Sequence, residues 1–349
     1  MTFIDLCSGI GGGRLGLELN DFKCLGFSEI DKEAIKTYKN FFDTTKEIEF
    51  GDLTKIKPKN LPDFDLLISG FPCQSFSIVG KRKGLLDEVK GQIIYYLARI
   101  LQIKEPDFFI LENVKGLLNH DKGQTLKKIL FLLQECGYNV SYALLNTIDY
   151  HLPQSRERVY FVGIKKAKNR FFAFDMQINS GLFKNEPIFL KDFLKPNKNN
   201  LFDIKSNSYI SFLRYLENKY NKNRFNLDEI LQRDFLVLDT RQSDLRLYKN
   251  KIPTLRRDRQ GLLYVYKKNL YKLSGLEALK LQGFDKLKNL EKKSENLKES
   301  DILRQCGNAM SVNVIESIAR KLLYFKLNFS CYCKDEAIHK KSRLPRITL

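Results

Sequence analysis

No apolar run in this 349-residue chain approaches the roughly 20 residues needed to cross a bilayer. The opening Met1-Thr2-Phe3-Ile4-Asp5-Leu6 has neither the basic start nor the small-residue cleavage site of a secretion signal, so a cytoplasmic location is expected. Cysteines are few, odd in number and scattered, at 7, 24, 73, 136, 306, 331 and 333, which excludes a disulfide framework. Cys331-Tyr332-Cys333 is too tight for a zinc site and has only His339 nearby, so no metal is expected. Acidic residues are short as well: 41 Asp and Glu face 60 Lys and Arg, a formal charge of +19. That imbalance favours a polyanionic partner, because counterion release drives binding to phosphates. A generally Lys-, Asn- and Ile-rich composition would produce it too, so charge alone leaves both readings open.

At 43% hydrophobic, the chain can build a large core, in two domains. One short stretch draws attention first. Asp65-Leu66-Leu67-Ile68 reads as a buried strand and runs into Ser69-Gly70-Phe71-Pro72-Cys73-Gln74-Ser75-Phe76-Ser77. Gly80, Lys81, Arg82, Lys83 and Gly84 then form a basic, flexible loop. A cysteine just past a strand end beside such a loop suggests a thiolate facing a phosphate-bearing substrate. Taken alone, a buried structural cysteine is the commoner case.

The preceding segment sets the context. Phe3-Ile4-Asp5-Leu6-Cys7 predicts a strand, followed by Ser8-Gly9-Ile10-Gly11-Gly12-Gly13-Arg14-Leu15-Gly16 and a helix. Gly11, Gly13 and Gly16 satisfy G-x-G-x-x-G, which permits a tight turn and close backbone approach; a plain glycine-rich turn is the competing reading. A second strand ends at Glu29-Ile30-Asp31 and a third at Gly51-Asp52-Leu53. Strand-end carboxylates are often helix caps, but their joint occurrence beside the glycine turn favours a nucleoside cofactor, with a carboxylate on its ribose. A fifth strand, Phe108-Phe109-Ile110-Leu111, ends in Glu112-Asn113-Val114, and another carries Gln154-Ser155-Arg156-Glu157-Arg158. Strands alternating with apolar-periodic helices at residues 92–104 and 123–136 predict a doubly wound, mostly parallel α/β sheet with ligands beyond the strands' C-terminal ends.

Residues 166 to about 250 lose this rhythm. Tyr209, Phe212, Tyr215 and Tyr220 interleave with Lys219, Lys222 and Arg224, a mixture suited to phosphate contact and base packing, though core anchors on a lysine-rich surface explain it equally. Arg241, Arg246, Arg256 and Arg257 lie in runs able to meet guanine edges or phosphates. Regularity returns with a helix at residues 275–281. Residues 285–300 read as solvated helix or loop, and Arg304-Gln305-Cys306-Gly307-Asn308-Ala309-Met310-Ser311 leads into a final apolar helix. The tail from Ser330 is basic and expected to fray.

A soft nucleophile at Cys73, a carboxyl at Glu112 and a guanidinium at Arg158 would together make a pyrimidine electrophilic at carbon 6 and nucleophilic at carbon 5. The ordered motifs Asp5-Leu6-Cys7-Ser8-Gly9-Ile10-Gly11-Gly12, Gly70-Phe71-Pro72-Cys73-Gln74, Glu112-Asn113-Val114, Gln154-Ser155-Arg156-Glu157-Arg158 and Gly307-Asn308-Ala309 resemble the DNA (cytosine-5)-methyltransferase family of bacterial restriction–modification systems. The likeness covers residues 1–165 and 250–325. It implies the S-adenosylmethionine-dependent methyltransferase fold with a smaller irregular, β-rich target-recognition domain. It also implies boundaries: a catalytic and cofactor domain at 1–165, target recognition at 166–255, a returning segment at 256–329 and a basic tail at 330–349.

The resemblance makes Cys73 the nucleophile, Glu112 the group at cytosine nitrogen 3 and Arg158 a contact to the base carbonyl. Asn113, Gln154 and Arg156 would support the pocket and catalytic loop. S-adenosylmethionine would lie across Asp5, Cys7, Gly9, Ile10, Gly11 and Gly12, with Glu29 and Ile30 at its ribose, Asp52 and Leu53 at its adenine, and Pro72, Asn308, Ala309 and Met310 closing the site. Ser77, Gly80, Lys81, Arg82 and Lys83 would fold over duplex DNA around a flipped cytosine. Two positions depart from the family: Cys7 stands where an aromatic residue usually stacks on adenine, and Ile30 where Trp is common, so weaker cofactor affinity is expected.

The expected enzyme is thus a monomer acting on duplex DNA, with a cognate restriction endonuclease as its implied counterpart. An RNA (tRNA) cytosine methyltransferase of the same fold, a nicotinamide-dependent oxidoreductase resting on the glycine turn alone, and a non-catalytic DNA-binding module remain as alternatives.

Overall fold

The computed structural model describes residues 1–72, 93–166, 175, 187–257 and 260–341, with side chains as far as residue 327. Cys73, Ser77, Gly80, Lys81, Arg82 and Lys83 lie outside the described residues, as do the side chains of Cys331 and Cys333.

The first half alternates as expected: β1 (Thr2–Leu6), α1 (Gly12–Glu18), β2 (Lys23–Ser28), α2 (Lys32–Phe41), β3 (Ile48–Glu49), β4 (Leu66–Gly70), α3 (Ile93–Lys104), β5 (Phe108–Val114), α4 (Gln124–Glu135), β6 (Tyr138–Asn146), β7 (Gln154–Ser155) and β8 (Glu157–Lys165). Seven of these strands form one sheet in the order β3-β2-β1-β4-β5-β8-β6. The pairs from β3 through to β5 are parallel, and β8 runs antiparallel to both β5 and β6. Strand order reverses between β1 and β4. In an open α/β sheet this switch point opens the crevice in which ligands bind.

Successive residues of each strand point to opposite faces, and both faces are apolar. Ile4, Leu67, Phe109 and Phe161 pack with Leu97 and Leu101 of α3 and Ile129 and Leu133 of α4. Phe3, Leu66, Ile68, Ile110 and Val162 meet Leu17 of α1 on the other side. That second face is completed from far along the chain, by Val314, Ile315 and Ile318 of α10 (Val312–Lys341). The helix continues to Lys341, past Ser330 where fraying was expected.

Between the halves lie α5 (Asn207–Leu216), α6 (Leu227–Leu231), β9 (Val237–Asp239), β10 (Arg246–Tyr248), β11 (Ile252–Pro253), β12 (Leu262–Tyr266), β13 (Asn269–Lys272), α7 (Gly275–Lys280), α8 (Leu290–Ser294) and α9 (Glu299–Asn308). A four-stranded antiparallel sheet, β10-β9-β12-β13, buries Leu238, Leu263 and Val265 against Phe212 of α5 and Ile230 of α6. Its other face, Val237, Leu262 and Tyr264, joins Tyr38 and Phe41 of α2, Leu279 of α7 and Ile302 of α9 in one core. This sheet runs to Lys272, so β12 and β13 lie beyond residue 255. Their hairpin turns on Lys267 and Lys268, both with positive φ, rather than on the Asn-Gly or Gly pair that marks such turns in a sequence. The interleaved aromatics of residues 206–223 are largely core: Phe212 is buried against Phe202 and Tyr209, and the Tyr215 hydroxyl donates to the Gln242 carbonyl.

Candidate active site and cofactor edge

The carboxylate of Glu29, just past β2, accepts three backbone N–H groups: Gly9 at 2.8 Å, Ile30 at 2.7 Å and Asp31 at 3.0 Å. A carboxylate has about four acceptor positions, so it is oriented by the chain with roughly one position left for a ribose hydroxyl. Asp31 caps α2, while Ile30 stands 73% exposed beside the carboxylate. Asp52 accepts from the Thr54 N–H at 2.9 Å and hydroxyl at 2.8 Å, and these bonds hold its carboxyl below the usual range.

The glycine run divides by task. Gly9 adopts a left-handed conformation, and a Cβ there would meet nothing within 4 Å, so this turn offers open space to a ligand. Gly12 and Gly16 instead serve packing: a Cβ on Gly12 would lie 2.3 Å from the Met310 carbonyl, and one on Gly16 would enter the backbone of α10. Other residues expected to line the cofactor have mostly buried side chains. Asp5 is fully buried, accepts from the Tyr38 hydroxyl at 3.2 Å, and is pushed up to about 8 by burial. The side chains of Ile10, Leu53, Ala309 and Met310 are buried too, whereas Asn308 is exposed. Cys7 has a positive φ, and burial pushes its thiol up to about 12, leaving a neutral, small group where the family usually has an aromatic.

The chemical end lies across the switch point. Gly70 of β4 pairs directly with Glu112 of β5, and in the sequence Cys73 follows Gly70 by three residues, outside the described residues. Asn113 reaches over with its amide N–H to the Phe71 carbonyl at 3.0 Å and so anchors the Phe71-Pro72 approach to Cys73. The Nε of Arg158 is 3.1 Å from Glu112 Oε1, both side chains being largely buried. Alignment is poor, and that oxygen makes no hydrogen bond. Burial raises the Glu112 carboxyl; Arg158 and then Arg156 oppose it.

Gln154 and Arg156 do not reach this pocket. The Gln154 amide donates to the Leu281 carbonyl at 2.8 Å and accepts from Leu255 N–H at 3.1 Å. The Arg156 guanidinium, 1% exposed, donates to the carbonyls of Leu255, Gly307 and Ala309 at 3.2, 3.2 and 2.9 Å. Gln154 thus ties the chain before Arg256 to the end of α7, and Arg156 ties it to Gly307 and Ala309. A Cβ on Gly307 would stand 2.2 Å from the Arg257 N–H nitrogen, so the two segments touch backbone to backbone.

Arg241 departs from the expectation of a free base-reading side chain: it is buried and bidentate on Asp239 at 2.7 and 2.8 Å, with its third nitrogen donating to the Thr254 carbonyl, and so supports the loop. Arg246 is exposed but pairs with Asp244 at 3.2 Å, while Arg256 and Arg257 are exposed. Sequence reasoning missed a cavity of about 850 Å³ between α5, the antiparallel sheet and the start of α9, lined among others by Tyr215, Thr240, Arg256, Gln260, Lys272 and Lys298. No spacing announces it, because its walls come from several separate stretches of the chain.

The family model for C-5 cytosine-specific DNA methylases matches residues 1–324. The chain belongs to this family. It is 34% identical over 330 residues to the type II methyltransferase M.DsaV of Dactylococcopsis salina, covering 93% of this chain and 86% of that one. The type II methyltransferase M1.ScrFI of Lactococcus lactis subsp. cremoris is 37% identical over 323 residues, 92% of this chain and 77% of its own length. The orphan methyltransferase M.SPRI of Bacillus phage SPR is 40% identical over 212 residues, 59% of this chain and 45% of its own.

Among solved structures, the S. pombe Dnmt2 methyltransferase shares the fold with a TM-score of 0.65 at 18% identity over 94% of this chain and 99% of that one. A putative DNA modification methyltransferase from an E. coli prophage does so at 0.64 and 24%, with coverage of 94% and 99%. The protein is therefore a DNA (cytosine-5)-methyltransferase, which removes the oxidoreductase, binding-module and RNA readings. As a methyltransferase of this family it uses S-adenosylmethionine. The open turn at Gly9, the oriented Glu29 carboxylate and the exposed apolar Ile30 fit an adenosine-bearing donor. When bound, it supplies an electrophilic methyl group.

Proposed function

We propose that this chain methylates carbon 5 of a cytosine flipped out of a short duplex-DNA sequence, through a covalent adduct between Cys73 and carbon 6. The register that sets Gly70 beside Glu112, with Asn113 holding Phe71, carries this reading. The Cys73 thiolate forms the bond to carbon 6. Burial raises the Glu112 carboxyl and so favours the protonated form, which gives its proton to ring nitrogen 3 as electron density moves to carbon 5. Arg158 donates to the base carbonyl. After methyl transfer, a solvent base takes the carbon 5 proton, the thiolate leaves carbon 6 and nitrogen 3 returns its proton to Glu112, restoring the neutral aromatic ring. These roles require no metal ion. A base inside the duplex stack cannot be reached in this way, hence the flip.

The antiparallel sheet with α5 and α6 is assigned to reading the target. The cationic rim of the 850 Å³ cavity, Arg256, Lys272 and Lys298, supports this assignment. Relatives named type II methyltransferases support a place in a restriction–modification system with a cognate endonuclease, while M.SPRI is named an orphan. We assign a monomer acting on cytoplasmic, nucleoid DNA; among the described residues no helix is long and apolar enough to cross a membrane.

Incubation with methyl-labelled S-adenosylmethionine and genomic DNA tests the reading. Label is expected on cytosine carbon 5 and should vanish in Cys73→Ala. Label on adenine, undiminished activity of that variant, or a preference for tRNA over duplex DNA would overturn it.

A further inference from the structure

We propose that Arg14 is a positioning residue for S-adenosylmethionine, one guanidinium that sets the spacing of all three strand ends of the cofactor edge; this rests on the cofactor reading above. Arg14 follows the glycine run, where a cation would ordinarily be taken for a phosphate or DNA contact. Its side chain is instead 4% exposed and committed to partners within the protein. Two nitrogens of the fork donate to Glu47 at 2.7 Å each, and Nε donates to Glu18 at 2.8 Å. Its plane lies 4.3 Å from the Phe42 ring centroid and 5.2 Å from that of Tyr38.

Each partner leads to a different cofactor contact. Phe42 ends α2, and its ring occupies the place where a Cβ on Gly11 would stand, 2.3 Å away, so it bears on the turn that carries Gly9. Tyr38 shares α2, which begins at Asp31 beside Glu29, and its hydroxyl bonds Asp5 at the end of β1. Glu47 belongs to the connection into β3, after which comes Asp52. The turn, the ribose carboxylate and the adenine-side aspartate are therefore referenced to one buried cation. Only a planar, bidentate and stacking group can meet all these partners together, which lysine cannot do. Burying that charge requires its partners in place.

The test measures KM for S-adenosylmethionine, KM for DNA, kcat, and direct binding of S-adenosylhomocysteine, in wild type, Arg14→Lys, Glu47→Gln and the double variant. Arg14→Lys and Glu47→Gln should each weaken S-adenosylhomocysteine binding and raise KM for S-adenosylmethionine about tenfold, the lower end for residues that orient a binding group. DNA KM and kcat should stay within about twofold, as loss of uniform binding demands. The double variant should lose far less than the product of the single effects. Tyr38→Phe, which keeps the ring and removes the hydroxyl, should change affinity less than Arg14→Lys. A melting-temperature drop with unchanged cofactor affinity, parallel losses in both substrates, or full additivity would overturn the proposal. Wild type that binds no S-adenosylhomocysteine would sink the cofactor reading itself, and this proposal with it.

Discussion

At the scale of the residue, Glu112 joins two demands that oppose each other. Its ordinary value is 4.5, and burial raises it in the folded chain. Below 4.5 both folded and unfolded forms are protonated and burial costs nothing. As pH climbs from there through the raised folded value, the unfolded chain releases a proton that the folded chain keeps, so stability falls. Wild type should therefore lose stability relative to Glu112→Gln over that window, by about 1.4 kcal/mol per unit of separation between the two values. Urea denaturation across the pH range checks this, and a difference moving the other way would refute the raised carboxyl. The same variant should have almost no methyl-transfer activity while binding S-adenosylhomocysteine normally.

Asn113 makes a second residue-scale prediction. Asn113→Ala frees the Phe71 carbonyl, so kcat should fall more than tenfold, within the range for misplaced reacting groups, with cofactor binding retained; an unchanged kcat would show that the tether is idle. Glu112, Asn113 and Arg158 were legible in the sequence because each occupies a motif at a strand end. Gln154, Arg156 and Arg241 share that chemistry but not that use. Arg156 finds Leu255 and Gly307 at separations of 99 and 151 residues, and only folding brings those carbonyls to it.

At the scale of the element, the β12–β13 hairpin turns on two lysines in a left-handed conformation. Such a turn costs about 1 kcal/mol or more per residue with a side chain, and glycine or asparagine removes most of it. Lys267→Asn with Lys268→Gly should raise stability by about 1 kcal/mol without altering methyl transfer; a lower melting temperature would show that the lysines make interactions worth more than the strain. α9 behaves oppositely. Gly307 sits where the chain of Arg256 and Arg257 crosses it, so Gly307→Ala should destabilise by about 1–3 kcal/mol through overpacking and weaken DNA binding more than cofactor binding. Strand and helix periodicity revealed the elements of the first half well. α9 was hidden because its apolar positions, Ile302 and Cys306, are diluted by charged neighbours on its outer face.

For the whole molecule, the switch point between β1 and β4 puts the strand ends that lead to Gly9, Glu29 and Pro72 on one rim of one sheet. The shared core of Tyr38, Phe41, Tyr264, Leu279 and Ile302 fastens the antiparallel sheet to the same body. The +19 charge excess belongs to this scale, where it favours contact with DNA phosphates. Replacing Lys81, Arg82 and Lys83 together by alanine should weaken DNA binding and lower its log–log salt slope by about 0.9 for each phosphate that is no longer neutralised. An unchanged slope would mean that this loop does not meet phosphate.

The linear order of strands, helices and motif residues determined the alternating, mostly parallel sheet and nominated Cys73, Glu112 and Arg158, because those depend on short-range periodicity and strand-end chemistry. The strand order and its switch point came from the fold. Tertiary structure alone decided which polar groups face the ligand and which face one another. Arg14, Asp5 and Arg156 look like binding residues by type, yet they take partners from distant segments. Burial without such partners would be prohibitive, and only the fold supplies them.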